Sequence, residues 1–152
     1  MCIQDKCFSI LYRCRRFDMK SRRSLQREEK YYLADLGFYF ATNTDNRINY
    51  GPALENVVYH YACAGGYDVS VGRIGKLECD FVLRKYADAY SYVQVAMTIM
   101  NDRVTEDREY RPLEQIRDNY PQYVVTMDRL LQRRGGIRHV NIVDFLAEER
   151  EF

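Results

Sequence analysis

Apolar residues recur with two different periods along the chain, and these periods predict its secondary structure. After Gly51-Pro52 and before Gly65-Gly66 the spacing is helical. Proline is favoured in the first turn of a helix and glycine after its last turn, so these dipeptides bound one helix. Its predicted apolar face consists of Leu54, Val57, Val58, Tyr61 and Ala62.

The segments after this helix predict a strand-rich core with a crossover helix. Strands are predicted at 67–74, 77–83, 90–98, 123–127 and 137–143, a helix at 102–119 with Pro112 restarting a second helix, and a terminal helix at 144–150. The first helix, three strands, the crossover helix and the next strand give the order αβββαβ. This order favours a mixed sheet in an α/β protein.

The N-terminal region has a different pattern. Residues 8–17 and 30–38 are runs of aromatic and aliphatic residues, joined by the polar stretch 18–29. This predicts a β-hairpin or wing with a long charged tip, and the turn-forming residues 42–49 mark a seam after it. We therefore expect residues 1–49 to form a basic hairpin or wing that packs on a core of residues 50–152, within one structural domain.

Length and composition narrow the class of protein. The chain has 152 residues, of which 47% are hydrophobic, which suits one domain with a real core. The sequence contains no run of about 18 apolar residues, so it predicts no membrane span. Charged residues interrupt the first 20 positions too often for a secretory signal. We expect a soluble, cytoplasmic protein without a membrane partner. Five cysteines without a CxxC pair indicate reduced thiols, and Cys2, Cys7 and Cys14 are a weak candidate metal set.

Basic residues concentrate at the start of the chain. Residues 1–30 contain nine Lys or Arg and four acidic residues, whereas the whole chain has a net charge of only +1. Such a segment suits contacts with DNA phosphates. A solvated surface is the alternative, because a pI near 7.6 is low for a dedicated nucleic-acid-binding protein. The candidate DNA-binding residues are Arg13, Arg15, Arg16, Arg22 and Arg23.

Two adjacent predicted strands contain the candidate chemistry. If their turn centres on Ala87, Asp80 lies opposite Gln94 and Glu78 lies opposite Ala96. Strict alternation then places Glu78, Asp80 and Val82 on one face and Cys79, Phe81 and Leu83 on the other. Glu55 lies beside the apolar stripe of the preceding helix, which could bring its carboxylate towards Asp80.

Converging carboxylates and an amide oxygen are ligands for Mg²⁺ or Mn²⁺, and such a metal activates water for phosphodiester cleavage. In this interpretation Asp80 and Glu55 bind the metal. The alternative is that Asp80 and Glu78 form ion pairs with Lys76 or Arg84 on a solvated face.

Several segments together resemble a known family. They are ILYRCRRFD (10–18), KYYLADLGF (30–38), GPALENVVY (51–59), VGRIGKLECDFVL (71–83), YVQVAMT (92–98) and REYRPLEQIRDNYPQYVVTMD (108–128). The chain resembles, from about residue 8 to its end, the C-terminal domain of unknown function of many bacterial and archaeal AAA+ ATPases. No GxxxxGK[ST] phosphate loop occurs, so the ATPase module itself is missing. A separately expressed domain, a truncated gene and a stand-alone relative all remain open.

The resemblance implies a PD-(D/E)XK nuclease-like, or restriction-endonuclease-like, fold. It makes Glu55 the helix acid and Asp80 the metal-binding strand acid, with Gln94-Val95-Ala96 in the position of the E-x-K triplet. The neutral Gln94 weakens metal binding, and Ala96 removes the catalytic lysine. Losing one such electrostatic group typically costs on the order of 10²–10³ in rate. Lys76 is a candidate replacement, but it lies roughly 13 Å along the strand from Asp80.

Three functions follow as hypotheses. The first is a catalytically degenerate nuclease-like domain that binds DNA or targets an ATPase to it. The second is a protein-interaction module that docks on an AAA+ ATPase or a related partner. The third is an Mg²⁺- or Mn²⁺-dependent DNA nuclease that uses Glu55, Asp80 and Gln94, with Glu78 and Lys76 as auxiliaries. A homo-oligomer is compatible with all three.

Overall fold

The computed structural model describes residues 10–42, 49–86 and 89–152, with the backbone but not the side chains of 26–28. Eight strands and four helices form within these residues. They are β1 (Leu11–Asp18), β2 (Arg23–Leu33), α1 (Leu36–Thr42), α2 (Tyr50–Ala64), β3 (Asp68–Ile74), β4 (Leu77–Tyr86), β5 (Ala89–Val95), α3 (Arg103–Glu114), β6 (Gln122–Thr126), β7 (Arg133–Arg134), β8 (Ile137–Asn141) and α4 (Ile142–Ala147).

All eight strands belong to one mixed sheet with the order β2-β1-β3-β4-β5-β6-β8-β7. The pairs β1–β3, β5–β6 and β6–β8 are parallel, and the other four pairs are antiparallel. The protein is therefore a mixed α/β protein, as predicted, and α2 to β6 follow the predicted αβββαβ order. Within the described residues, no helix is both long and apolar enough to cross a membrane.

Two apolar cores sandwich the sheet. One core joins α2 and α4 to the sheet through residues such as Val58, Phe81 and Phe145. The other joins α3 to the opposite face through residues such as Tyr110, Val82 and Val124. The face that contacts α2 is called the α2 face below, and the opposite one the α3 face.

The N-terminal strands differ from the prediction in length. The turn between β1 and β2 contains only residues 19–22, and the predicted charged tip is mostly strand. Asp18 stabilises the short turn by accepting hydrogen bonds from Lys20 N (3.2 Å) and Ser21 Oγ (2.7 Å). The predicted strand over 30–38 is wrong beyond Leu33, because α1 begins at Leu36. Residues 1–9 and 43–48 of the predicted wing and seam lie outside the described residues.

Two further boundaries depend on proline and glycine. The prediction that Pro112 restarts a helix is wrong, since Pro112 lies inside a single helix α3, two residues before its end. Pro112 lacks a backbone N–H and so removes one helical hydrogen bond, and the helix ends two residues later at Glu114. The predicted glycine turn is confirmed: Gly135 (φ 58°) and Gly136 (φ 84°) join β7 and β8 in the left-handed conformation that a two-residue hairpin turn requires.

A β-bulge in β4 changes which side chains share a face. The predicted register with β5 is confirmed, from Phe81 opposite Val93 to Arg84 opposite Tyr90. The strict alternation is wrong, however. Ser70 pairs with Val82 but Gly72 pairs with Cys79, so two consecutive β4 residues lie opposite Val71.

Because of the bulge, Val82 lies on the same face as Cys79, and not on the face of Glu78 and Asp80 as predicted. Cys79 and Val82 join the α3-face core, whereas Phe81 and Leu83 join the α2-face core. The extra residue turns the Asp80 carboxylate towards the α2 face. Gly72 fits here because a Cβ would approach the Val82 side chain to 2.9 Å.

Candidate functional site

A lysine from β2 lies between three carboxylates on the α2 face. Lys30 Nζ forms an ion pair with Glu55 Oε1 of α2 and lies 3.4 Å from Glu78 Oε1 and 3.9 Å from Asp80 Oδ1 of β4. Glu78 also pairs with Arg16 of β1. We call Lys30, Glu55, Glu78, Asp80 and Arg16 the acid cluster.

Neighbouring polar contacts fix α2 against β2. Tyr32 Oη, two residues from Lys30 on the same face, donates to Glu55 Oε1 (2.7 Å). The buried Asn56 side chain accepts from Leu33 N (2.8 Å) and donates to Leu33 O (2.9 Å). These bonds hold α2 against β2 and thereby keep Glu55 close to Glu78 and Asp80 of β4.

Asp80 lies where β4 and β5 separate. Its Oδ2 accepts a hydrogen bond from Val95 N (2.8 Å), and its own backbone N–H donates to Gln94 Oε1 (3.4 Å). Two effects raise the pKa of Asp80 to about 8: burial, which is the larger, and the negative charge of the nearby Glu55. The bond from Val95 and the charge of Lys30 oppose this shift.

The raised pKa of Asp80 is consistent with the acid cluster having one carboxylate more than it has cations. Burial of Lys30 favours its neutral form, but Glu55, Asp80 and Glu78 outweigh burial and raise the pKa of Lys30. Three carboxylates face two permanent cations, Lys30 and Arg16. A proton on Asp80 makes the acid cluster neutral, which is the cheapest state for a group of charges out of water.

Gln94 does not join the acid cluster. Its Nε2 donates to Glu109 Oε2 of α3 (3.0 Å). Glu109 Oε1 forms an ion pair with Arg108 Nη2 (2.8 Å). Gln94 meets the site through the hydrogen bond that it accepts from the Asp80 backbone N–H, while its amide nitrogen is directed to Glu109 of α3. The auxiliary Lys76 is exposed in the turn between β3 and β4, two residues before Glu78.

The arrangement does not fit a divalent metal. The Lys30 ammonium lies between the carboxylates that would have to bind the ion, so a divalent metal would have to displace it. Within the described residues, no three His, Cys, Asp or Glu side chains are grouped so as to hold a metal ion. Cys2 and Cys7 of the weak cysteine candidate lie outside the described residues, and Cys14 is a buried free thiol.

The structure separates the five candidate DNA-binding arginines. Arg16 belongs to the acid cluster on the α2 face. Arg22, in the turn, lies 5.6 Å from the Tyr90 ring centroid and 3.9 Å from Asp118. Arg23 is exposed at the start of β2, opposite Asp18.

Arg13 and Arg15 line an open groove of about 340 Å³ together with Ser24, Leu25 and Glu29. At the groove the β1–β2 register shifts: Cys14 pairs with Lys30 but Arg16 pairs with Leu25. Arg13 NH1 lies 3.4 Å from Glu29 Oε1, and its side chain is 52% exposed. Arg13 and Arg15 alternate along β1 with Cys14 and Arg16, so these two side chains point to the α3 face, away from the acid cluster.

Sequence reasoning placed Glu55, Glu78 and Asp80 together but missed Lys30, Tyr32 and Glu109. Lys30 and Tyr32 are two residues apart in a predicted strand, and this spacing indicates that their side chains share one face. Their proximity to β4 depends on the parallel pairing of β1 with β3, which joins distant segments and has no local signature.

The comparisons with known proteins are few. A protein of Haemophilus influenzae, described as an uncharacterized protein, is 31% identical over 140 residues. The match covers 91% of this chain but 34% of the relative, so the chain spans about a third of the length of that relative. No protein-family model and no solved structure matches the chain.

Proposed function

We propose that this chain is a catalytically degenerate nuclease-like domain, of the type that ends AAA+ ATPases, and that it binds DNA without cleaving it. The observation that carries the proposal is the division of charge between the two faces of β1 and β2. The acid cluster is satisfied internally on one face, and two arginines line an open groove on the other.

The acid cluster supports the absence of cleavage. A metal-dependent nuclease needs free carboxylates for its metal and a cation near the scissile phosphate. Here Lys30 already occupies the space between Glu55 and Asp80, and Ala96 replaces the triplet lysine. The metal-dependent nuclease is therefore the weakest of the three hypotheses.

The groove supports DNA binding. Arg13 and Arg15 stand on neighbouring positions of one strand face, and Ser24 adds a hydroxyl donor. Arginines and hydroxyl groups are common donors to DNA phosphates. Lys30 and Arg16 are engaged by carboxylates, so within this basic segment Arg13 and Arg15 are the side chains that line an open groove.

Fluorescence anisotropy with labelled duplex and four-way-junction DNA, at two salt concentrations and without metal, tests this proposal. We expect affinity to fall with salt, and the Arg13→Ala/Arg15→Ala variant to reduce the log–log salt slope by about two, one for each phosphate contact. The Arg103→Ala/Arg111→Ala variant on exposed positions of α3 is the matched control. No binding at low salt, or an equal slope in both variants, would contradict DNA binding at the groove.

Helix α1 favours a second candidate function, docking on a partner protein such as an ATPase module. None of its residues is buried or charged, and Phe38 is 47% and Phe40 43% exposed. A helix that is apolar all round is normally covered. The relative is about three times as long as the matched segment, which supports a large neighbouring region as the cover.

Cross-linking in the producing cells tests the second candidate. A photo-cross-linking residue at Phe38 is expected to capture one partner protein that contains a phosphate loop. The same residue at Val104, which is exposed on α3, is expected to capture none. Equal capture from the two positions would contradict docking through α1.

A further inference from the structure

The open face of β1 and β2 carries an exposed aromatic ring between its charged side chains. Tyr31 is 55% exposed and pairs directly with Arg13 across the strands. Cross-strand partners point to the same face of a sheet, so the Tyr31 ring and the Arg13 side chain lie beside each other. Glu29 contacts both, since it pairs with Arg13 and accepts from Tyr31 Oη (3.0 Å).

This hydrogen bond orients the Tyr31 ring on a residue that is more than half exposed. The hydrogen bond that Tyr31 Oη donates to Glu29, together with the charge of that carboxylate, raises the pKa of Tyr31 and favours the neutral phenol. On the same face, the Leu11–Leu33 pair extends the apolar surface, with Leu11 47% exposed. The surface therefore runs from an apolar pair, through an oriented aromatic ring, to the two arginines of the groove.

We infer that this surface binds single-stranded DNA in preference to duplex DNA, with a base stacked on Tyr31 and the adjacent phosphates held by Arg13 and Arg15. The inference rests on the proposed DNA binding and adds the form of DNA that is bound. A flat strand face with an exposed ring beside cations is the common platform for single strands, because every base has a face that can stack. Paired bases in a duplex cannot present that face to Tyr31.

Anisotropy with a fluorescein-labelled oligo(dT) and a duplex of the same length tests this inference. We expect oligo(dT) to bind more tightly, and Tyr31→Ala to weaken its binding roughly 5- to 150-fold, the range of one lost stacking contact. Duplex affinity should change by less than about twofold, since phosphate contacts dominate duplex binding. Tyr31→Phe keeps the ring and should retain the preference for oligo(dT).

The control is Tyr86→Ala, which removes a tyrosine that is 71% exposed at the end of β4. It should leave oligo(dT) binding unchanged, and circular dichroism should show the same folded content in all variants. Salt-dependent duplex binding without a preference for oligo(dT), or a Tyr31→Ala variant that binds oligo(dT) like wild type, overturns the inference and leaves the proposed DNA binding standing. No binding of either DNA overturns both.

Discussion

Strands β1 and β2 carry basic side chains on both faces, but carboxylates pair with them much more completely on one face than on the other. On the α2 face, Lys30 and Arg16 are enclosed by carboxylates from α2 and β4. On the α3 face, Arg13 is half exposed beside a single carboxylate, and Arg15 lines an open groove. Neighbouring residues in one basic segment therefore have different surroundings: Arg16 is paired with Glu78, whereas Arg15 lines the open groove.

Removing the cation of the acid cluster should destabilise the protein more than any other change considered below. Lys30→Met leaves Glu55, Glu78 and Asp80 without their shared ammonium, and we expect it to lower the free energy of unfolding by on the order of 3 kcal/mol. Urea denaturation at pH 7 measures this loss. Lys76→Met, in the exposed turn, should change the free energy by less than about 0.5 kcal/mol. Equal losses in the two variants would show that Lys30 is not part of a buried network.

Asp80 gives the next effect, which depends on pH. The raised pKa of Asp80 stabilises the folded state fully below about pH 3.8, its ordinary value, and this contribution is lost as the pH rises through about 8. Asp80→Asn keeps an acceptor for Val95 N but does not titrate. Its stability relative to wild type should therefore rise between pH 4 and 8, measured by urea denaturation across that interval. A difference that stays constant with pH would refute the raised pKa.

Truncation of the same side chain is a separate test. Asp80→Ala leaves Val95 N without its acceptor, and we expect a loss of about 1–3 kcal/mol at pH 5. Thermal or urea denaturation of Asp80→Ala beside Asp80→Asn separates this hydrogen bond from the titration. Full stability of Asp80→Ala would instead indicate that Asp80 lines an open, solvated site.

A smaller effect comes from the contact between β2 and α2. Tyr32→Phe removes the hydrogen bond to Glu55 without creating a cavity, and we expect it to cost about 1.5 kcal/mol, the low end for a bond to a charged group. Urea denaturation of Tyr32→Phe measures it. Tyr31→Phe, on the opposite face, is the control and should cost less than about 0.5 kcal/mol.

The smallest effect on stability belongs to the groove. Arg13→Ala/Arg15→Ala breaks only the partly exposed contact with Glu29, so we expect a change of less than about 1 kcal/mol in urea denaturation. A stability loss as large as that of Lys30→Met would remove the distinction between the two faces.

Local patterns predicted most of the core because they report on short-range geometry. The ends of α2 follow from its proline and glycines, and the β4–β5 register follows from the pairing around one turn, whose residues 87–88 lie outside the described part of the chain. The face assignment of Cys79 and Val82 failed because one bulge residue reverses the alternation, and apolar residues on either side give no warning of it.

The candidate site was predicted only in part, since it depends on long-range pairing. Glu55, Glu78 and Asp80 lie together as expected, but their cation comes from the edge strand β2, which β1 and β3 separate from β4. The five arginines formed one cluster in the sequence, and the alternation and register shift of β1 and β2 distribute them over both faces.

DNA binding without cleavage is tested by adding millimolar Mn²⁺ to the DNA-bound protein and following the DNA on a gel. Wild type and Asp80→Asn should both leave supercoiled plasmid and labelled junction DNA intact, because Lys30 occupies the space between the carboxylates. Cleavage by wild type that requires Mn²⁺ and disappears in Asp80→Asn would contradict the claim and identify an active nuclease.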